Sequence, residues 1–214
     1  GLGGRGLAQH VVAVAKAQPL VRAAVGQRLG DVLAGVTAVT ESQAREAAKL
    51  IHVEYEVLKP VTDMHEAARP DSIQVHDGRS NVLETSSIKS GDVEKELMEA
   101  AWTAGGIYET QLVEHAFLET ETAIALPENN GLRLYSQGQG AYVDRTTISE
   151  ILGLPPEKIR VIQVQNGGGF GGKEDITVQG HASLFAWLLK RPVRVHLNRD
   201  ESIIMHPKRH PVWM

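Results

Sequence analysis

The feature that most restricts the fold of this chain is a glycine-rich loop. The segment Gly167-Gly-Gly-Phe-Gly-Gly-Lys-Glu174 has five glycines in its first six positions. It follows the alternating, strand-like run 159–165 and precedes the apolar, helical run 176–189. A backbone of this kind can adopt positive φ and lets another molecule approach closely. The sequence therefore predicts a strand–loop–helix unit with an accessible backbone between its two elements.

Exposed N–H groups between a strand and a helix favour an anion, so a phosphate site is the first hypothesis for this loop. However, the residue after Lys173 is Glu174, where a phosphate-binding P-loop has Ser or Thr. The dinucleotide-binding fingerprint also fits poorly, because Phe170 interrupts the turn and no ribose-binding acid is identifiable. A plain structural turn is the other alternative, but an aromatic ring in such a loop is unfavourable unless something covers it. We therefore expect a ligand site here.

Strand and helix signals alternate along the rest of the chain, which predicts an α+β fold. Near the N-terminus, two alternating runs at 32–38 and 53–57 flank a helix that begins after Thr40, with a capping-box pattern to Gln43. This strand–helix–strand unit has the size of a βαβ or split βαβ motif. The polar segment 64–90 is longer than a usual loop within a domain, so it indicates a connector and a domain boundary.

The second half of the chain carries further local signals. Asp92 is an N-cap residue for a helix over 93–102, and Gly153 ends a helix over 148–152. The turn residues of Pro127–Gly131 predict a β-hairpin. The two hairpin strands and a last strand are predicted at 116–125, 132–136 and 193–197.

Composition excludes several classes of function. The net charge of the 214 residues is −4, which gives no basic surface for nucleic acid or an anionic membrane. There is no cysteine, so disulfides, thiolate metal sites and iron–sulfur ligation within these residues are excluded. No apolar run is long enough to span a membrane. Because the chain begins with Gly1 rather than Met and stops just after a strand-like run, we expect a fragment of a longer protein.

A second candidate ligand site is the turn Gln137-Gly-Gln-Gly140, which follows a strand-like run. Two side-chain amides on a flexible turn could bond to polar ligand atoms, since each amide offers donors and an acceptor. The alternative is a simple surface turn.

Two residue pairs have the spacing of helical metal ligands. His115 precedes Glu119 by four residues, and His206 precedes His210 by four. We do not predict a metal site, because the first pair lies in a strand-like run and a proline interrupts the second. Glu119 and Glu121 would share a strand face, either as a carboxylate pair or as two solvated side chains.

Five short segments occur in a recognisable order: Glu114–Glu119, Gln137–Gln139, the glycine loop, Arg199–Ser202 and Arg209–Pro211. Together they resemble the molybdopterin-binding large subunit of the xanthine dehydrogenase and aldehyde oxidase family. Residues 30–56 resemble the end of that family's α/β hammerhead domain. The resemblance implies an α+β chain with a partial hammerhead-like domain at 1–70, a connector at 71–90, and the first part of a mixed α/β molybdopterin-binding domain at 91–214.

The resemblance also implies roles for individual residues. Gln139, Gly169, Phe170 and Gly171 match cofactor-binding positions beside the molybdenum, and Glu174 matches an acid that contacts a heterocyclic substrate. No residue of this chain is implied to bind the metal directly, because the cofactor's own dithiolene holds it. The family's general base is a glutamate that lies beyond residue 214, so none of these residues is implied to be catalytic and we expect the fragment to be inactive by itself.

The family's chemistry is hydroxylation of a purine, another N-heterocycle or an aldehyde, with water as the oxygen source. The implied cofactor is molybdopterin, with iron–sulfur and FAD groups on other domains or subunits that would be this chain's partners. The resemblance further implies a cytoplasmic location, with neither nucleic acid nor membrane as a partner. Two alternatives stay open: a non-catalytic scaffold with the same fold and a nucleotide-binding enzyme.

Overall fold

The computed structural model describes residues 9–13, 31–53, 58–76 and 78–214. The chain divides into two compact units, residues 1–53 with 111–211 and residues 54–110 with 212–214. The strands in the described ranges are β1 (Gln9–Ala13), β2 (Gly35–Ala38), β3 (Glu109–Thr110), β4 (Thr122–Glu128), β5 (Gly131–Ser136), β6 (Ile159–Gln163), β7 (Val193–His196) and β8 (Val212–Trp213). The α-helices are α1 (Glu41–Lys49), α2 (Met64–Ala67), α3 (Val93–Glu99), α4 (Ala141–Leu152), α5 (Val178–Leu189) and α6 (Arg199–Met205).

The larger unit is built on a six-stranded mixed sheet in the order β2-β1-β7-β4-β5-β6. β5 runs parallel to β6, and β4 runs antiparallel to both β5 and β7. β1 pairs parallel with β7 and antiparallel with β2. This mixture of helices with an open sheet confirms the predicted α+β class.

The core lies between the sheet and α5. Val178, Ala182 and Ala186 recur every four residues, so they share one helix face, and all three are buried. They pack in one cluster with inward-facing strand residues such as Ala125 and Leu134. Small side chains on the helix let it lie close to the sheet, which fixes the position of the loop that leads into α5.

The predicted hairpin is confirmed by the antiparallel pairing of β4 with β5. Asn129 and Asn130 both have positive φ, as the two central residues of a type I′ turn require. At Gly131 an added Cβ would overlap the carbonyl oxygen of Lys158 and lie 3.1 Å from its carbonyl carbon. Glycine is therefore needed where β5 begins beside the start of β6.

Helix ends follow the predicted chemistry. The Thr40 hydroxyl accepts a hydrogen bond from Gln43 N at 3.3 Å, and α1 begins at the next residue. Gly153 adopts the left-handed conformation with φ 61° and ends α4. α4 starts at Ala141, seven residues before the predicted helix over 148–152. Its first turns bury Asp144 and expose Tyr142 and Val143, so they do not show the apolar spacing of an ordinary buried helix face.

The smaller unit has little buried surface. It contains α2, α3 and the two-stranded β3–β8 sheet. Asp92 accepts a hydrogen bond from Lys95 N and caps α3 as predicted, although the helix ends at Glu99 rather than at 102. Leu83, Ile88 and Trp102 are each more than nine-tenths exposed.

Several predicted bounds were wrong. The strand predicted over 116–125 begins only at Thr122, because Ala116 has a φ of 47° and the segment before β4 is irregular. α2 and α6 were not predicted, although Asn198 and Glu201 form a capping box at the start of α6. Most of the strand predicted over 53–57 lies outside the described residues, and the domain limits near 70 and 90 stay predictions. No helix in the described ranges is long and apolar enough to cross a membrane.

Candidate functional site

Strand direction brings the candidate segments to one edge of the sheet. β5 and β6 are parallel, so the turn 137–140 after β5 and the glycine loop after β6 leave the sheet at the same end. β4 is antiparallel to β5, so the segment 114–121 that leads into β4 lies at this end too. Clefts beyond the carboxyl ends of parallel strands are common ligand sites in α/β sheets.

Gln139 is hydrogen-bonded to the glycine loop through both its side chain and its backbone. Its side-chain Oε1 accepts hydrogen bonds from Gly171 N at 3.1 Å and Lys173 N at 3.2 Å. Its backbone N–H donates to the Lys173 carbonyl oxygen at 2.9 Å. A Cβ added at Gly169 would overlap Oε1 and lie 2.8 Å from Cδ of Gln139. The structure thus brings together Gln139, Gly169 and Gly171, which the sequence had selected from two separate loops.

Phe170 projects from the centre of the same loop. It has a φ of 53°, a conformation that costs a residue with a side chain about 1–3 kcal/mol and that recurs at ligand-binding and active sites. Its side chain is 75% exposed. An exposed ring on a strained backbone position needs a covering partner, as its sequence context had suggested.

The loop leaves several hydrogen-bond donors available. Within the part of the chain that the structure describes, the N–H groups of Gly168, Gly169 and Phe170 have no protein acceptor. The Nε2 amide of Gln139 has none in the same residues, since only its Oε1 is used. These donors surround Phe170 and suit a ligand rich in hydrogen-bond acceptors.

Lys173 does not join this exposed donor group. Although Gly167, Gly172 and Lys173 have the spacing of a P-loop, the lysine is only 3% exposed. Its Nζ donates to Gln137 Oε1 at 2.7 Å and to the Glu119 carbonyl oxygen at 2.9 Å. A lysine turned into the protein cannot reach a phosphate on the loop, so the structure argues against the phosphate-loop hypothesis.

Glu174 follows the loop with its side chain exposed. Its backbone N–H donates to the Gly171 carbonyl oxygen at 3.4 Å, which closes the last turn of the loop. No side-chain partner is seen for its carboxylate in the described ranges. The carboxylate is therefore free to contact a ligand at the same end of the sheet.

The turn 137–140 rests on a buried polar network. The Ser136 hydroxyl donates to Asp144 Oδ2 at 2.5 Å, and Gln179 Nε2 donates to the same hydroxyl oxygen at 3.2 Å. Gly138 N also donates to the Ser136 oxygen at 3.0 Å. Burial raises the pKa of Asp144, partly offset by the Ser136 hydrogen bond. These supports were not predicted from the sequence, where the only signals were the polar residues Asp144 in α4 and Gln179 in α5.

Neither of the two pairs with metal-ligand spacing, His115 with Glu119 and His206 with His210, forms a metal-ligand cluster in the described residues. Instead, His115 and His206 lie near each other, with ring centroids 5.6 Å apart, and Glu114 joins them. His206 Nε2 lies 2.8 Å from Glu114 Oε1, while Lys208 Nζ lies 2.9 Å from Glu114 Oε2. A neighbouring lysine already balances the carboxylate, which disfavours a divalent metal ion here.

Glu121 corrects the expectation of two solvated carboxylates. Glu119 is exposed, but Glu121 is only 2% exposed and its Oε1 lies 3.3 Å from His206 Nδ1. The two residues precede β4 rather than forming part of it, so strand alternation does not apply to them. Glu119 Oε2 accepts a hydrogen bond from Gly167 N at 2.5 Å, which attaches the first residue of the loop to this segment.

Comparison with known proteins identifies the architecture. The family model described as the molybdopterin cofactor-binding domain matches residues 75–214. The chain belongs to this family. The resemblance inferred from the five sequence segments is therefore confirmed.

Named relatives agree with this assignment. The chain is 36% identical over 185 residues to a probable xanthine dehydrogenase subunit from Bacillus subtilis, covering 86% of this chain and 25% of the relative. It is 34% identical to the nicotinate dehydrogenase large molybdopterin subunit of Eubacterium barkeri, covering 88% and 44%. The aldehyde oxidoreductase structure from Desulfovibrio gigas matches with a TM-score of 0.79 at 27% identity, covering 85% and 20%. The chain thus spans from a fifth to somewhat less than half of the length of these proteins.

The residues at the sheet edge fit a pterin cofactor. Such a molecule carries many hydrogen-bonding edges and a phosphate, which the available N–H groups of the loop and the Gln139 amide can meet. The absence of a Cβ at Gly171, where an added Cβ would meet nothing within 4 Å, leaves the loop backbone open to close approach.

Proposed function

We propose that this chain supplies one wall of the cofactor site in the large subunit of a molybdenum hydroxylase. The observation that carries the proposal is the attachment of Gln139 to the glycine loop, which leaves the loop's other donors and Phe170 exposed. A non-catalytic scaffold has no need for an exposed aromatic ring at positive φ.

In this proposal Gln139, Gly169, Phe170 and Gly171 hold the cofactor. The Gln139 Nε2 amide and the N–H groups of Gly169 and Phe170 donate hydrogen bonds to it, and the Phe170 ring shields it from water. The bound cofactor supplies the redox chemistry, while the protein supplies orientation and electrostatics. None of these residues is proposed to bind the molybdenum directly.

Glu174 is the proposed substrate contact. Its exposed carboxylate can accept a hydrogen bond from a ring N–H of a heterocycle, and such charge-assisted bonds are stronger than neutral ones. An aldehyde has no such N–H group. The role therefore predicts an effect that depends on the class of substrate.

The activity of the whole protein belongs to the same proposal. The names of the relatives support oxidation of a purine, another N-heterocycle or an aldehyde. Water as the oxygen source is a further part of the proposal. Iron–sulfur and FAD groups on other domains or subunits would carry the electrons away. Because the chain spans a quarter of its first relative, we expect the 214 residues alone to be inactive. A cytoplasmic location stays a prediction.

The test is the molybdenum and pterin content of the complete parent subunit, purified from its native host. Metal mass spectrometry and pterin fluorescence should both give nearly one equivalent per subunit. A Gln139→Ala variant should lose most of its turnover on purines and aldehydes, whereas its stability should fall only by the loss of the two hydrogen bonds to Oε1. The matched control is Leu188→Ala, an exposed apolar truncation near the far end of α5. Folded, complete protein with neither molybdenum nor pterin would favour the scaffold alternative.

A further inference from the structure

The proposed cofactor site does not use Lys173, although this residue lies within the loop. We propose that Lys173 is a positioning residue that holds Gln139 and the glycine loop in register; this inference rests on the proposed function. Lys173 does not touch the ligand in this role. It acts through the two groups that do.

The first support for the proposal is what the ammonium contacts. Nζ bonds to Gln137 Oε1 at 2.7 Å and to the Glu119 carbonyl oxygen at 2.9 Å. Gln137 is itself 3% exposed, and its Nε2 donates to the carbonyl oxygens of Thr120 and Thr122 at 2.8 and 3.3 Å. The lysine side chain therefore ties the loop to the entrance of β4, which is part of the rigid sheet.

The second support is what the Lys173 backbone contacts. Its N–H donates to Gln139 Oε1, and its carbonyl oxygen accepts from Gln139 N. The backbone and the side chain of Gln139 thus both attach to one residue. A shift of Lys173 would move the Gln139 amide and the neighbouring Gly171 N–H together.

The third support is that the arrangement is unfavourable for stability alone. Burial lowers the pKa of Lys173, because the charged form loses water, although the nearby Glu119 and Glu121 work in the opposite direction. The ammonium lies 4.3 Å from the centroid of the Phe117 ring, which compensates part of that loss. A buried charge is often less stabilising than an apolar side chain, but its hydrogen bonds are directional. Those bonds fix the loop's position in a way that an apolar side chain cannot.

The test is Lys173→Met in the complete parent subunit, which shortens the unbranched side chain by one atom and removes its charge and donors. Hydrogen exchange of the amides of Gly171 and Gln139 should accelerate about ten- to hundredfold, the range expected for losing hydrogen bonds to a charged group. With cofactor bound, kcat should fall while KM for substrate changes little. The matched control is Ser149→Ala, which removes the buried bond from Ser149 Oγ to the Leu154 carbonyl oxygen at the far end of α4.

The control separates positioning from a general loss of stability. If Ser149→Ala lowers the melting temperature equally and accelerates the loop amides equally, the proposal is overturned. Gln137→Met removes the partner of the ammonium and should accelerate the same two amides, which keeps the idea testable if Lys173→Met does not fold. In the double variant Lys173→Met with Gln137→Met, the two increases in exchange rate should not add, because both substitutions remove the same hydrogen bond from Lys173 Nζ to Gln137 Oε1. Additive effects would contradict that link.

The outcomes also distinguish this inference from the proposed function. Absence of molybdenum and pterin from the wild-type subunit would overturn the proposed function. The exchange comparison needs no cofactor, so accelerated loop amides in Lys173→Met would still support the positioning role. The positioning role alone would be overturned if the wild-type subunit contains cofactor but the exchange rates of the Gly171 and Gln139 amides are unchanged in Lys173→Met.

Discussion

A methyl group at position 169 would test the arrangement of the site directly. In Gly169→Ala the new Cβ would overlap Gln139 Oε1 and lie 2.8 Å from Cδ and 3.2 Å from Cγ. Gln139 is exposed and can rotate away, so the fold need not shift. It would then lose the bonds from Gly171 N and Lys173 N. At about 0.5–1.5 kcal/mol for each hydrogen bond, unfolding should become easier by about 1–3 kcal/mol.

The assay is a double-mutant cycle with Gln139→Ala, read by urea unfolding of the complete subunit. In the Gln139→Ala background the clashing atoms are gone, so Gly169→Ala should cost less than about 0.5 kcal/mol. The coupling between the two positions should therefore reach about 1–2 kcal/mol. Cofactor content should fall in Gly169→Ala, because the displaced amide no longer lies beside the loop.

A full cost of Gly169→Ala in both backgrounds would refute this reasoning. It would mean that the methyl group meets the loop backbone rather than the glutamine. Gly153→Ala provides the control for a glycine substitution as such. An added Cβ there meets nothing within 4 Å, and its φ of 61° should cost about 1–2 kcal/mol in any background.

Four other outcomes are expected. Phe170→Ala should lower turnover of the complete subunit at least tenfold without lowering its melting temperature, because an exposed ring contributes little to the fold. Glu174→Gln should raise KM for N-heterocycles about ten- to hundredfold and leave aldehydes unchanged, and equal effects on both classes would contradict its role. Because burial raises the pKa of Asp144, the protonated side chain favours the folded state at acid pH, and this contribution is lost as pH rises through that pKa. In thermal melts between pH 4 and 8, the melting temperature of Asp144→Asn relative to the parent should therefore increase most at the higher pH. Gly131→Ala should destabilise the fold by several kcal/mol in urea unfolding, since its Cβ would overlap the backbone of Lys158.

The features predicted correctly from the sequence are those that depend only on neighbouring residues. The hairpin around Asn129 and Asn130 and the end of α4 at Gly153 depend on backbone conformations that a few residue types favour. The helix after Thr40 depends on one cap. These features need no knowledge of the rest of the fold, so a single sequence was enough to predict them.

The missed features depend on contacts between distant residues. Glu121 looked like an exposed strand residue because its partner, His206, is 85 positions away. α6 carried a capping signal but few apolar residues at helical spacing, so its position beside the sheet could not be inferred. Sequence spacing paired His115 with Glu119 and His206 with His210, whereas in the fold His115 lies beside His206.

Lys173 shows why spacing alone does not define a function. A glycine loop followed by lysine binds phosphate only when the lysine turns outward over the loop, and the sequence pattern does not specify that direction. Here Gln137 and Glu119 determine the direction of the lysine side chain, because they offer two oxygen acceptors beneath the loop. Once the ammonium is bound there, the loop's remaining N–H groups face outward beside the Gln139 amide. The same pattern that would serve a nucleotide then presents backbone N–H donors without a cationic side chain, which suits a large polar cofactor better than a phosphate group alone.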